Sequence, residues 1–507
     1  MTEKIEKESD KIVFEDALTL TGFGKYNWFI FTLASGIIVA MAFETFSVAY
    51  LVPASACELG TDAAQQGLTA GIPLVGIITS SNFWGFLADT RGRKKILIWS
   101  LAMGFTTGAL ATFSMNWIVL LFLKFASSSS LAGTFALSMS LLGESTPEKQ
   151  RGTMIVLTSS IYLIATGVMA ALTIPILPLT FSYHISFLGI YLNSWRLLNF
   201  IYTLPSLFGA IFLIFSYESP KYLLSVGREQ ECLEVLKRMY SINTGDASDN
   251  FKVKSVTLGE VQVGNKDDTL WQSIKAQTVP LFKPPLMKNT LLLSVIFVTV
   301  YFCINPFMVW LPNMADSFMK SIQRGETGLS MCEMIRSSQN VTNSEEVNDC
   351  TFDQFAMTMI LFINLFLSVL NLIMTFILRF CTRKTLLISI QLVCGTAGLC
   401  INLSSNYILS AVLTIIFVSG VLNFGFTIAC SVDLFPTFVK AMGVCVTLMV
   451  GRGSAVLGIN LLKYLLVNDC ETSFYLYGGI AFCGGICAFF LPSEKKKPVE
   501  EEKSESA

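Results

Sequence analysis

The sequence predicts an all-α polytopic membrane protein with twelve spans in two halves of six. Of the 507 residues, 53% are hydrophobic and 14% are charged, whereas soluble domains carry about 25% charged residues. Apolar runs long enough to cross about 30 Å of hydrocarbon recur twelve times along the chain. The charged residues are concentrated between these runs. These observations exclude a soluble domain and indicate that a lipid bilayer surrounds most of the protein.

The apolar runs divide the chain into five segments. These are an N-terminal segment at 1–25, a six-span bundle at 26–217, a linker at 218–289, a second six-span bundle at 290–492 with an exterior loop at 311–353, and a tail at 493–507. The first segment is polar and mixed in charge, and it lacks the pattern of a cleavable signal peptide. In the linker, Leu233, Leu236 and Met239 fall at helical spacing, which predicts an amphipathic helix.

Lys and Arg are distributed unevenly between the two sides of the predicted spans. The predicted exterior loops hold only Lys320, Arg324 and Arg336, whereas most of the chain's 35 Lys and Arg residues fall on the other side. Because cytosolic loops carry an excess of these residues, we expect both termini to lie in the cytosol. The membrane is either the plasma membrane or that of an intracellular vesicle.

The turns after the fourth and tenth apolar runs show an internal duplication. Glu144, Pro147 and Arg151 in GESTPEKQRG recur 289 positions later as Asp433, Pro436 and Lys440 in VDLFPTFVKA, and Arg93-Lys94 recurs 290 positions later as Arg383-Lys384. Several matches at nearly one offset predict a parallel repeat of a six-span unit. In proteins built this way, the substrate site lies near the midplane between the halves, and rocking of the halves gives alternating access.

The turn between the second and third apolar runs reads GFLADTRGRKK and begins at Gly85. Its glycines, its acid at Asp89 and its basic residues resemble the signature loop of major facilitator superfamily transporters. The resemblance covers nearly the whole chain and implies the twelve-span major facilitator fold. It also implies that Asp89 contacts the start of span eleven, where the helix dipole favours a carboxylate, and that this contact latches the cytosolic side. The second half lacks counterparts of Gly85 and Asp89, so the predicted gate is asymmetric.

The resemblance also implies roles for the other turns. Glu218 in YESPKYLL resembles the motif that closes span six in the sugar-porter branch. The residues that we expect to act in gating and conformational change are Gly85, Asp89, Arg91, Gly92, Arg93, Lys94, Glu144, Arg151, Glu218, Arg383, Lys384, Asp433 and Lys440.

Two ionisable residues lie within the spans of the first half, Glu44 in span one and Lys124 in span four. Such residues are functional candidates because they are costly to keep in a membrane. Proton-linked sugar porters are similar in having an acid in span one and a base in span four. One hypothesis is a pair that changes its protonation during transport. The other is a static ion pair that holds two helices together.

The interface between the halves has its own candidates. Arg452 in span eleven either contacts an anionic group of the substrate or pairs within the bundle. Tyr162 and Tyr301 are candidates to line the cavity, because the resemblance places spans five and seven at the interface. Arg196 and Lys463, near the exterior ends of spans, are expected to be anchors that extend toward the membrane surface.

The exterior loop carries Cys332 and Cys350, and a disulfide between them is the preferred prediction. Cys57 and Cys470 also fall in exterior turns, so other pairings are open. The sequence Asn340-Val341-Thr342 is a candidate glycosylation site.

Three segments, FSVAYLVPASACEL, VWLPNM and DLFPT, resemble the synaptic vesicle glycoprotein 2 family, which sits beside the organic cation and organic anion transporters. The resemblance implies a secondary carrier of a small organic solute, an organic ion by preference, with Glu44 as a candidate for proton coupling. The alternatives are a vesicle-membrane glycoprotein with a receptor or trafficking role, and a sugar transporter. A single histidine and the lack of metal-ligand, nucleophile-elbow and phosphate-loop motifs argue against an enzyme or an ATP-driven pump. We expect no cofactor, no metal and no nucleic-acid partner.

Overall fold

The computed structural model describes residues 11–258, 278–326, 328–344, 352–378, 380–436 and 439–492. Within these ranges the protein is a bundle of long helices with two small two-stranded sheets. We keep the names cytosolic and exterior for the two faces of the bundle as the positive-inside rule assigns them.

The first half contains spans 1 to 6. They are Lys25–Leu59, Ala63–Arg91, Arg93–Ala111, Trp117–Leu131 with its continuation Thr134–Glu144, Glu148–Ile176 and Ser194–Ile214. Polar side chains begin several of these helices by accepting hydrogen bonds from backbone N–H groups that have no partner within the helix. Asp62 does so at span 2, and Asn116 does so at span 4.

The second half contains spans 7 to 12. They are Leu286–Gln323, Gln354–Ile377, Arg383–Cys400, Tyr407–Val418 with its continuation Asn423–Leu434, Lys440–Asn468 and Cys470–Ala488. Among the described residues, ten helical segments are long and apolar enough to cross a membrane. Spans 3 and 12 are not among these ten, and each packs against a span that is, span 6 or span 9. The predicted fold class, an all-α bundle of two six-helix halves, is confirmed.

The predicted start of the exterior loop differs from the structure. Span 7 continues as a helix to Gln323, so the segment between spans 7 and 8 starts at Arg324 and not at residue 311. The helix outlasts its apolar run because its last turns pack against other protein elements: Phe318 and Ser321 in these turns are buried.

Two lysines at equivalent positions in the two halves make equivalent hydrogen bonds. Lys94 at the start of span 3 donates from Nζ to the carbonyl oxygens of Ile214 and Ser216, at 3.0 and 2.7 Å. Lys384 at the start of span 9 donates to the carbonyl oxygens of Phe489, at 2.9 Å, and Leu491. Each ammonium therefore binds the carbonyl end of the last span of its half, where the helix dipole favours a cation.

The two halves pack closely through spans 5 and 8. Thr166 donates to the side-chain oxygen of Asn364 at 2.6 Å, and Ser368 donates to the carbonyl oxygen of Ser160 at 2.9 Å. A Cβ atom at Gly167 would lie 3.0 Å from that of Asn364. Small and polar residues thus let these helices approach across the interface.

Spans 2 and 11 approach each other on the exterior side of the same interface. A Cβ atom at Gly67 would lie 2.9 Å from the side-chain oxygen of Asn460, and one at Gly71 would lie 3.4 Å from a methyl group of Val456. Toward the cytosolic end of span 2, in contrast, no described atom beyond the neighbouring part of its own helix lies within 4 Å of the Cβ position of Gly85. Close packing on the exterior side is what an inward-facing arrangement requires.

The N-terminal segment and the linker pack together on the cytosolic face of the first half. Strands Lys11–Val13 and Ser255–Thr257 pair in parallel, and the predicted amphipathic helix spans Glu229–Thr244. From this helix, Asn243 accepts from the backbone N–H of Tyr26, at 3.0 Å, near the start of span 1. Burial raises the pKa of the Cys232 thiol in the same helix to about 12, so this cysteine stays protonated and unreactive.

The exterior disulfide differs from the prediction. Cys332, in helix Met331–Ser344, is bonded to Cys470 at the start of span 12, so the predicted bond between Cys332 and Cys350 is wrong. The helix lies across the exterior end of the second half, where the backbone N–H of Cys332 also donates to Asn402 at 3.1 Å. This docking decides the pairing, because it brings together two cysteines 138 positions apart. Cys57 is also disulfide-bonded.

Two further exterior predictions fall on residues that are only partly described or not described. Cys350 lies outside the described residues. Asn340 lies in helix Met331–Ser344, and its side chain is outside the described part of the protein. Its glycosylation stays a prediction.

Candidate functional site

Glu44 and Lys124 form a buried ion pair between spans 1 and 4. The Nζ atom of Lys124 lies 3.4 Å from both carboxylate oxygens of Glu44 and donates to Ser47 at 3.0 Å. The Lys124 side chain is only 1% exposed, and the Glu44 side chain is 5% exposed. A Cβ atom at Gly108 of span 3 would lie 3.5 Å from the carboxylate, so the pair is enclosed within the first half.

Aromatic residues from both halves converge at the interface. In the first half, the ring of Tyr162 lies 6.2 Å from that of Phe46 and 6.0 Å from that of Phe135. In the second half, the ring of Tyr301 stacks on that of Phe424 with centroids 4.5 Å apart. Each of the two predicted tyrosines therefore lies within an aromatic cluster of its own half.

Arg452 lies on span 11 beside the second of these clusters. A Cβ atom at the preceding residue, Gly451, would lie 3.2 Å from the ring of Tyr301. The Arg452 side chain is half-buried, and it has no ion pair with any carboxylate that the structure describes. A guanidinium with five donors and no acid partner is suited to a carboxylate or another planar anion.

Asn305 is a residue that sequence reasoning missed at this interface. It lies one helical turn from Tyr301 on span 7, so both project from the same side of the helix. Its side-chain nitrogen is buried and has no hydrogen-bond partner in the described part of the chain. Such a group is normally satisfied by water or a ligand. The signal in the sequence was an amide in the middle of an apolar run, NPFMVW.

The signature loop and its neighbours form a polar cluster at the cytosolic face. Arg93 is 3.0 Å from a carboxylate oxygen of Glu144 and 3.6 Å from one of Asp89. Glu144 also accepts from Ser140, at 2.9 Å, and from Ser219. Glu144 therefore connects the loop between spans 2 and 3 with the start of the linker.

Glu218 binds the start of span 3. Its carboxylate accepts from the backbone N–H of Lys94 at 2.9 Å, a position where the helix dipole favours an anion. Gly92 has a φ of 103°, and a Cβ atom there would lie 2.4 Å from the Glu218 carboxylate. Both the backbone angle and the close approach require glycine.

The remaining predicted gating residues lie near the ends of spans. Arg151 pairs with Glu15 of the N-terminal segment at 2.6 Å, and Arg91 is exposed. Arg383 begins span 9. Asp433 and Lys440 lie at the end of span 10 and the start of span 11, and their side chains are outside the described part of the protein.

The comparison with known families agrees with this architecture. The model of the Major Facilitator Superfamily matches residues 32–336, which is more than half of the chain. The chain belongs to the major facilitator superfamily. Members of this family are transporters, so the paired halves and the interface site are those of a transporter family.

Several members of the superfamily are similar to this chain. Synaptic vesicle glycoprotein 2B of Mus musculus is 24% identical over 344 residues, which cover 63% of this chain and 50% of that protein. The match therefore spans about half the length of this relative. Organic cation/carnitine transporter 7 of Arabidopsis thaliana is 24% identical over 516 residues, which cover 96% of this chain and 95% of that protein.

Solved structures of the superfamily include similar folds. The xylose transporter XylE of E. coli, in a partially occluded inward-open conformation, aligns with a TM-score of 0.66 and 13% identity. The alignment covers 94% of this chain and 100% of that chain. At this identity the likeness shows the fold alone.

Asp89 has no ion pair with a described residue of span 11 in this arrangement. Its side chain is 73% exposed, and its ion-pair partner is Arg93 in the same half. The predicted contact of Asp89 with the start of span 11 stays a proposal for the outward-facing state, in which the cytosolic ends of spans 2 and 11 would meet. Loss of that contact would destabilise the outward-facing state and leave the inward-facing state unchanged.

We therefore expect Asp89→Asn to favour the inward-facing state by about two- to fivefold, because an anion at a helix N-terminus contributes about 0.3–1 kcal/mol. The reporter is Cys445 of span 11, a free and partly exposed thiol. It is seven residues before Arg452, so it lies on nearly the same face of the helix. Labelling by a membrane-impermeant maleimide from the cytosolic side should be faster in the variant than in the parent. A Cys445→Ser control subtracts labelling of other thiols, and equal rates would contradict the latch.

Arg196 has a different environment from the one predicted. The side chain is fully buried, and it donates to the carbonyl oxygens of Thr112 and Ser114 at 2.7 and 2.8 Å. It also pairs with Glu58 at 2.7 Å. The prediction of a surface anchor is therefore wrong, because an acid at the end of span 1 and the free carbonyls at the end of span 3 satisfy the guanidinium inside the protein.

Proposed function

We propose that this protein is a secondary active carrier of small organic anions that works by alternating access. The observation that supports this most is the guanidinium of Arg452, which is half-buried at the interface of the halves and has no described acid partner. The other charges described nearby, Glu44 and Lys124, neutralise each other. In the described part of the interface, Arg452 therefore carries a positive charge without a described counter-charge, which favours a substrate of opposite charge.

The surroundings of Arg452 suggest the shape of the substrate. Tyr162, Tyr301 and Phe424 present aromatic faces, and Asn305 presents an amide nitrogen without a described partner. Aromatic walls with a few polar groups are typical of sites for small organic ligands. A carboxylate could bind Arg452 while a flat apolar body lies between the two aromatic clusters. A sugar needs no cation, so the site fits an organic anion better than a hexose.

Proton coupling is the second part of the proposal. Glu44 and Lys124 are enclosed by spans 1, 3 and 4, so a movement of these helices that separates the pair would leave a lone buried carboxylate. Such a group takes up a proton because burial disfavours its charged form. Rocking of the halves would thus link proton uptake to the conformational cycle.

The test is uptake into proteoliposomes at two pH values. The pool should contain organic anions, organic cations and sugars, so that each substrate class competes in one experiment. We expect accumulation of one or more anions, with greater accumulation when the exterior is acidic. The absence of any accumulated compound at either pH would contradict the carrier function and would favour a receptor or trafficking role.

A single substitution tests the coupling. We expect Glu44→Gln to abolish pH-driven accumulation while exchange of labelled for unlabelled substrate continues, because exchange needs no net proton movement. Ser47→Ala is the matched control, since it removes a neutral partner of Lys124 and leaves the carboxylate in place. Unchanged accumulation in Glu44→Gln would remove Glu44 from the mechanism.

The orientation and the membrane belong to the same proposal. Both termini lie in the cytosol, and the helix that contains Asn340 lies on the exterior face of a plasma membrane or vesicle membrane. The distribution of Lys and Arg supports this orientation.

A further inference from the structure

We propose that Lys463 and Trp310 form an outer binding position that an anionic substrate occupies between the exterior and Arg452. This inference rests on the proposed function, transport of an organic anion. It adds a second cationic position on the pathway.

The faces of span 11 place Lys463 toward the interface between the halves. The outward face of span 11 is marked by Leu457 and Tyr464, which are 69% and 61% exposed. The opposite face is marked by three fully buried residues, Ala455, Ile459 and Leu462. A third face contacts span 2 through Val456 and Asn460. At 3.6 residues per turn, Lys463 falls between the buried face and the face toward span 2. Lys463 therefore lies beside the contact between spans 2 and 11.

Arg452 lies on the same strip of the helix. The two residues are eleven positions apart, which at 3.6 residues per turn puts them within about 20° of each other. Along the axis, Lys463 lies about 16 Å farther toward the exterior. The same strip of span 11 thus carries one cation near the centre of the interface and one near its exterior end.

The contacts of Lys463 leave its donors available. Its Nζ atom lies 4.7 Å from the ring centroid of Trp310, close enough for a cation–π interaction. The Trp310 side chain is fully buried, and its indole N–H donates to the carbonyl oxygen of Ile459 at 3.1 Å. The ring therefore holds the ammonium in place from one side. No carboxylate in the described part of the chain pairs with this ammonium.

A partly buried ammonium without an acid partner is costly within a span. An anion that passes along the interface would compensate this cost by accepting hydrogen bonds from the ammonium that the Trp310 ring holds in place. In the present inward-facing arrangement the contact of span 2 with Val456 and Asn460 lies between Lys463 and Arg452 along span 11. This contact would open when the halves rock outward, so the outer position acts on loading from the exterior only.

The test compares transport from the two sides of the membrane. The variants are Lys463→Gln, which removes the charge, and Lys463→Arg, which keeps it. With an anion identified in the uptake screen, we expect Lys463→Gln to raise KM for exterior loading roughly tenfold, which corresponds to about 1.4 kcal/mol. KM for loading from the cytosolic side, measured in inside-out vesicles, should stay within about twofold. The Arg variant should resemble the parent on both sides.

Other outcomes would overturn the proposal. An equal rise of KM on both sides, or the same defect in Lys463→Arg as in Lys463→Gln, would indicate a packing role. An unchanged exterior KM in Lys463→Gln would show that the ammonium does not meet the substrate.

A second measurement needs no transport and separates failure of this proposal from failure of the proposed function. Iodide, an anionic quencher, is added to the purified protein, and the Trp310 signal is taken as the difference between the parent and Trp310→Phe. The buried ring can be quenched only while the halves are rocked outward; we expect iodide quenching of this signal to fall at least about threefold in Lys463→Gln, while quenching by neutral acrylamide is unchanged. Equal iodide quenching in both proteins would overturn the outer position even if uptake is observed. If Lys463→Gln loses iodide quenching but the parent protein accumulates no compound, the carrier function is refuted and the outer binding position is not.

Discussion

Replacing Arg452 with glutamine is expected to lower kcat/KM for an anionic substrate by about 10- to 100-fold, because a hydrogen bond to a charged group contributes about 1.5–3 kcal/mol. Arg452 has no described acid partner, and the Cβ position of the preceding Gly451 lies 3.2 Å from the ring of Tyr301. Its charge is therefore available to the substrate. The measurement is uptake of the anion selected in the screen, normalised to the amount of protein in the membrane.

Two controls separate charge from structure in that experiment. Arg452→Lys keeps the charge and loses the planar donor pair, so we expect an intermediate defect. Lys252→Gln removes a charge from the exposed part of the linker and should leave uptake unchanged. Parental uptake of the anion by Arg452→Gln would contradict substrate contact and would indicate that Arg452 serves the packing of span 11.

Replacing Lys124 with methionine is expected to destabilise the protein by about 3–5 kcal/mol near neutral pH, because it leaves the Glu44 carboxylate buried without its counter-charge. The pair is enclosed, with side chains only 1% and 5% exposed, so water cannot replace the ammonium. The loss should become smaller as the pH falls, since the lone carboxyl group can then take up a proton. Thermal unfolding in nanodiscs at two pH values measures both effects.

The double variant Glu44→Gln with Lys124→Met is the matched control. We expect it to recover most of the lost stability, because a neutral amide next to an apolar chain is less costly than an unpaired charge. A Lys124→Met protein as stable as the parent would show that the pair contributes nothing to folding. If accumulation in the double variant still follows the pH difference as in the parent, the Glu44–Lys124 pair has a structural role only.

The prediction of the fold succeeded because membrane spans are governed by a local property. A helix that crosses hydrocarbon must be apolar over its whole length, so the runs that include Glu44 and Lys124 were visible without any knowledge of their neighbours. The repeat was visible for a similar reason, since Lys94 and Lys384 bind equivalent helix ends. The predicted end of span 7 was too early, because hydropathy detects the hydrocarbon section and not the turns beyond it.

The exterior contacts were not predictable in the same way. Cys332 had three possible partners in the sequence, and only the docking of its helix across the second half selects Cys470. Arg196 looked like a surface anchor because its partner Glu58 is far away in the sequence. Both outcomes depend on which helix ends meet, and no local pattern records that.

The sequence by itself determined the number of the spans, the duplication of the halves, and the presence of Glu44, Lys124 and Arg452 within the membrane. These features follow from the cost of placing polar groups in hydrocarbon, which acts on each segment separately. Only the tertiary structure decided which charges are paired. It encloses Glu44 with Lys124 and leaves Arg452 beside an aromatic cluster, because pairing depends on distances between helices that are remote in the chain.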